Sequence, residues 1–138
     1  MLMGSVLTRD LRSINSSGTS HFSYPLPVLT VGGTRDGIMR ISRIAESYWH
    51  GVKNIESDQL HNFPVVALEG VAHHSFMSSP YPSLISSDDL TSSVSEDDAH
   101  RQVGEAMAGF VNSILSGASP ISTDASGEIL KPLVTAME

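Results

Sequence analysis

Hydrophobic positions along this chain fall into blocks of two periods, and the blocks alternate. Val28-Leu29-Thr30-Val31 is a short, largely β-branched run with prolines before it and Gly32-Gly33 after it, which predicts a buried strand over 28–31. From there Ile38, Ile41, Ile44, Ala45, Tyr48 and Trp49 recur at steps of three and four. That spacing places them on one face of a helix, with Gly51 as the residue that stops it. Phe63-Pro64-Val65-Val66-Ala67-Leu68-Glu69-Gly70 is a second apolar strand signal, again ending at a glycine. A helix between two strands predicts a β-α-β unit with parallel strands and a right-handed crossover.

Downstream the pattern changes twice. Nine serines lie between Ser75 and Ser95, and Pro80 and Pro82 fall among them, so this stretch reads as a long, irregular, solvated surface connector. Ser95-Glu96-Asp97-Asp98 then has the form of an N-cap with an acidic first turn. Ala99, Val103, Ala106, Met107, Phe110, Val111 and Ile114 follow on one helical face, predicting a helix over about 95–116 that stops near Gly117. Residues 9–24 have a loop composition and 119–138 carry little pattern, which predicts one α/β domain or part of one over 1–118 and a weakly structured tail. No apolar run reaches the ~18 residues of a membrane span, and the first eight residues lack the basic region of a signal peptide.

Charge and composition narrow the classes of function. Apolar residues make up 40% and charged residues 17%, as in ordinary globular domains. The net charge is −7 with only two lysines, so no basic stripe is available to neutralise a phosphate backbone and no nucleic-acid partner is expected. With no cysteine, disulfides, zinc-thiolate sites and thiol nucleophiles are excluded.

In parallel α/β sheets, functional groups gather in loops just past the carboxyl ends of the strands. Asp36 lies in the loop after the first strand, and His73 and His74 lie in the loop after the second. Acid, helix, strand, histidine is the second half of the chain order Ser…Asp…His. Pro27-Val28-Leu29-Thr30-Val31-Gly32-Gly33-Thr34-Arg35-Asp36-Gly37 resembles the acid-bearing strand and turn of α/β-hydrolases, and Gly70-Val71-Ala72-His73-His74-Ser75-Phe76 resembles their histidine loop. With Met3-Gly4-Ser5, which resembles the end of the preceding strand, the likeness covers residues 1 to 116. It points to dienelactone-hydrolase and chlorophyllase-like serine hydrolases.

That resemblance implies the C-terminal half of an α/β-hydrolase fold, acting on carboxylic esters or related acyl substrates without a cofactor or metal. It gives Asp36 the role of orienting the imidazole and His73 that of general base. His73 is preferred to His74 because it follows the glycine and a small residue directly. The chain departs widely from the family's pattern: it contains no G-x-S-x-G pentapeptide, the tight turn that exposes a nucleophilic serine, and the family's oxyanion-hole loop and nucleophile strand would be expected upstream of Met1. The nucleophile is therefore expected outside these residues, with the chain a fragment, a shortened gene product or a pseudoenzyme. By itself it is expected to be inactive and prone to self-association through an open sheet edge.

Plainer readings stand beside these. Gly-Gly-x-x-Asp-Gly is also ordinary turn chemistry, with Asp36 capping the following helix. Phe76 and Met77 suit either an acyl pocket or the anchoring of their own loop, whereas Tyr48 and Trp49 continue an apolar helical face and read as core. Asp36 with His73-His74 lacks the further fixed ligand of a metal site. Residues 32–37 lack both the P-loop ending and the dinucleotide spacing. The competing function is a non-catalytic binding or interaction protein using the same scaffold.

Overall fold

The computed structural model of the protein describes residues 2–3, 26–52, 62–78 and 80–117. The order of elements is β1 (Leu2–Met3), β2 (Thr30–Gly33), α1 (Ile41–Val52), β3 (Val65–Leu68), a 3-10 turn (His73–Phe76), α2 (Ser83–Asp88) and α3 (Glu96–Ser116). The strands form a parallel sheet in the order β1-β2-β3. Leu2 and Met3 stand opposite Thr30 and Val31, and Thr30 to Gly33 stand opposite Val65 to Leu68. The architecture is α/β, as the alternation of periods predicts.

The core lies on both faces of the sheet. Leu29, Val31, Val66 and Leu68 point to one side and pack with Val71, Ala99, Val103 and Ala106, so α3 covers that face. Val65 points to the other side and packs with Ile44 and Ala45 of α1, against which Met39, Ile41 and Tyr48 are half-buried. The period-2 alternation of strand side chains thus supplies both layers. All four residues of β3 are buried, the continuous apolar reading of a parallel strand covered on both faces.

Four expectations shift. β2 lies two residues later than 28–31 and incorporates both glycines. A side chain at Gly32 would meet Ile44 Cδ1 at 2.1 Å, so the glycine lets α1 sit close on the sheet and does not break the strand. α1 begins at Ile41 and continues through Gly51 to Val52, its first expected turn being taken up by Asp36. The serine-rich connector is not irregular throughout: it holds the 3-10 turn and α2, and Pro80 and Pro82 precede α2 without entering it. On α3, Ala99, Val103 and Ala106 are buried, but Met107, Val111 and Ile114 are 41%, 50% and 41% exposed. Phe110 still packs against the larger cluster, so the buried line runs through Ala99, Val103, Ala106 and Phe110, and Met107, Val111 and Ile114 lie along its flank.

The ends of α3 follow the sequence signals. The Ser95 hydroxyl oxygen accepts from the Asp98 amide at 3.1 Å, and Gly117 is left-handed with φ 62°. The expected loop over 9–24 and tail over 119–138 lie outside the described residues. No helix among the described residues is long and apolar enough to cross a membrane.

Leu29 is fully buried in the larger cluster. Leu29→Ala is expected to lower stability by about 3 kcal/mol, measured as a shift in the urea midpoint at unchanged slope.

Candidate acid–base site

Two turns, one after β2 and one after β3, meet backbone to backbone. The Thr34 amide donates to the Leu68 carbonyl and the Arg35 amide to the Val71 carbonyl, each at 3.0 Å. In return the Gly70 amide donates to the Thr34 hydroxyl oxygen at 2.9 Å. The approach requires glycine at two points. A Cβ on Gly33 would lie 2.1 Å from the Val71 carbonyl oxygen, a backbone atom that cannot rotate away. Gly70 has φ 80°, a left-handed conformation that side chains disfavour.

This contact brings Asp36 and His73 together. Asp36 is 3% exposed. Its Oδ1 accepts from the amides of Ile38 at 2.9 Å and Met39 at 2.5 Å, while Oδ2 lies 2.9 Å from His73 Nδ1. The side chain therefore closes its own turn, as the plainer reading has it, and also reaches the imidazole. A carboxylate offers only acceptors, so the paired His73 nitrogen carries the proton and Nε2 is left with its lone pair. Among the described residues Nε2 has no hydrogen-bond partner, and the ring is 23% exposed. Such a nitrogen can accept a proton from a hydroxyl or a water that approaches it.

Burial pushes the Asp36 carboxyl above its ordinary value of 3.8, against the opposing effects of the His73 and Met39 hydrogen bonds. A charge is thus held where desolvation opposes it, beside a base. Such an environment is common at functional sites.

A second acid–histidine pair sits next to the first, and its acid had no sequence signal. Asp89 falls in the stretch read as a solvated connector, yet its side chain is only 1% exposed. Oδ1 accepts from the amides of Gly37 at 2.8 Å and Leu90 at 2.9 Å. Oδ2 accepts from the His74 amide at 2.8 Å and lies 2.7 Å from His74 Nδ1. Burial opposes the charge on Asp89, but the amides of His74 and Gly37 and the His74 ring outweigh it and hold the carboxyl below 3.8. The His74 ring also lies against Tyr81, with centroids 5.0 Å apart.

The remaining candidates fall around these pairs. Phe76 packs against the larger core cluster and anchors its loop. Met77 is half-buried, its carbonyl 3.3 Å from His100 Nε2 on α3. Tyr48 packs on the smaller cluster, and Trp49 is half-buried on the same helix. Among the described residues, no three His, Asp or Glu side chains are grouped to hold a metal.

No family model, curated protein or solved structure matches this chain.

Two outcomes are expected. Gly33→Ala forces the turns apart and destabilises the protein by about 2 kcal/mol, read by thermal unfolding. The second concerns pH. A folded-state carboxyl pKa raised above the unfolded one gives stability that is present below pH 3.8 and lost as pH rises through the folded value. Asp36→Asn keeps the acceptor for Ile38 and Met39 and removes the buried charge. Relative to the native chain, the variant should therefore gain stability between acid and neutral pH, measured by denaturant unfolding at pH 3 and about pH 7.

Proposed function

We propose that Asp36 and His73 are the acid and the general base of a serine-hydrolase-type site acting on carboxylic esters or related acyl substrates. The observation that carries this reading is the 2.9 Å contact between a buried carboxylate and Nδ1 of a partly exposed imidazole, formed beyond the carboxyl ends of adjacent parallel strands. Chain order and both turn motifs support it. On this reading Asp36 fixes the ring and stabilises the imidazolium, while Nε2 takes the proton of a serine hydroxyl and later returns it to the leaving alcohol. The serine comes from outside these 138 residues. By the family resemblance, its strand pairs at the edge of β1 opposite β2, which no strand among the described residues occupies.

A non-catalytic binding protein on the same scaffold is the second reading, favoured by the absence of G-x-S-x-G from the chain. The two separate in an experiment with a serine-directed phosphonate probe and activated short-chain esters. The 138-residue chain should give neither labelling nor turnover. A longer polypeptide carrying G-x-S-x-G ahead of Leu2 should give both, losing turnover with His73→Ala and dropping kcat by about 10⁴ with Asp36→Asn, since an amide holds the imidazole in the wrong tautomer. If the longer polypeptide is inert towards esters, thioesters and lactones alike, the binding reading takes its place.

A further inference from the structure

The two members of the acid–base pair are each followed directly by a residue whose amide is held by the same side chain. Gly37 follows Asp36 and donates to Asp89 Oδ1; His74 follows His73 and donates to Asp89 Oδ2; both distances are 2.8 Å. Asp89 comes from neither turn. It lies just past α2, in a segment whose backbone is also tied to both turns, through Arg35 Nε to the Thr91 carbonyl at 2.7 Å and the Ser93 amide to the Gly70 carbonyl at 2.9 Å. The fit is close on the Gly37 side, where a Cβ would lie 2.9 Å from the Asp88 carbonyl oxygen and from the Leu90 nitrogen.

We propose that Asp89 is a positioning residue of the Asp36–His73 pair, one carboxylate whose two oxygens fix the peptide planes that follow the acid and the base. The role in catalysis rests on the hydrolase reading; the mechanical claim does not. An amide-linked clamp of this kind sets the backbone torsion from which each side chain departs, so it acts on the ring through geometry and touches no substrate. Fixing the peptide on both sides restricts the rotation that separates Asp36 Oδ2 from His73 Nδ1. The His74 imidazole is an additional ligand of Oδ2. It is not the element that joins the turns.

Chemistry separates the clamp from simple stability. Asp89→Asn preserves shape but replaces one acceptor oxygen by an NH₂ group, so one of the two amides faces a donor whichever way the side-chain amide is turned. His74→Phe removes the ring nitrogen, retains an aromatic against Tyr81 and leaves both backbone bonds to Asp89 in place. Asp89→Glu keeps the charge and both oxygens but displaces them by one methylene.

The experiment is a long-range ¹H–¹⁵N spectrum of His73 in the full 138-residue chain, with a thermal melt on each sample. The native chain and His74→Phe should share one His73 pattern, with Nδ1 protonated and Nε2 bare. Asp89→Asn should lose that pattern to exchange between tautomers while still melting cooperatively. Should the Asn variant fail to fold, Asp89→Glu is read in its place, with the same loss expected. A folded Asp89 variant with an unaltered His73 pattern overturns the proposal. So does a His74→Phe chain that loses the pattern as fully as Asp89→Asn, because the imidazole and not the clamp would then be responsible. Failure of the hydrolase reading shows up elsewhere, in the ester and phosphonate assays, whatever the variants do.

Discussion

The close approach of Gly33 to the Val71 carbonyl is the constraint on which the site depends. Strand pairing ends there, at Gly33 opposite Leu68, and the two chains would diverge if a side chain stood between them. Because none does, the ladder of backbone hydrogen bonds continues into the turns, through Thr34 to Leu68 and Arg35 to Val71. A rigid sheet edge thus extends into loop backbone, and two side chains at its end are brought within one hydrogen bond of each other. Rigid backbone beneath a site favours precise placement of its side chains.

The two carboxylates at this edge show how much surroundings matter. Both are nearly fully enclosed, at 0% and 1% side-chain exposure, yet their acidities move in opposite directions. Around Asp36 desolvation prevails over the bonds from His73, Met39 and Ile38. Around Asp89 the bonds from His74 and Gly37 prevail over desolvation. Asp89 is therefore a settled structural anion, whereas Asp36 carries a charge its environment opposes. Neutralising Asp36 would relax the fold, and it would also remove the group that keeps the proton on His73 Nδ1.

What the sequence reveals here depends on the range of each signal. β3 and α3 were legible because a buried apolar run and a Ser95 cap with a glycine stop are local features. Asp36 and His73 were legible as neighbours because strand ends in a parallel sheet share one edge. β2 lies two residues from its expected place because Gly32 and Gly33 look like a break, and only the tertiary approach of Ile44 and Val71 explains them as strand. On α3 the exposed Met107, Val111 and Ile114 lie beside the buried line through Val103, Ala106 and Phe110 on one broad apolar face, which the spacing alone does not divide. Asp89 has no local signature at all: it sits in a serine-rich stretch whose composition suggests a solvated loop, and its partners Gly37 and His74 lie 52 and 15 residues away.

The central claim is that a buried carboxylate holds the His73 imidazole in one tautomer with Nε2 free to act as a base. It is tested most directly by the ¹⁵N shifts of the His73 ring in the unmodified chain at neutral pH. The account predicts a protonated Nδ1 with a hydrogen-bonded, slowly exchanging proton and an Nε2 shift typical of an unprotonated imidazole nitrogen. A ring protonated at Nε2, or two averaged shifts showing rapid tautomer exchange, would contradict it.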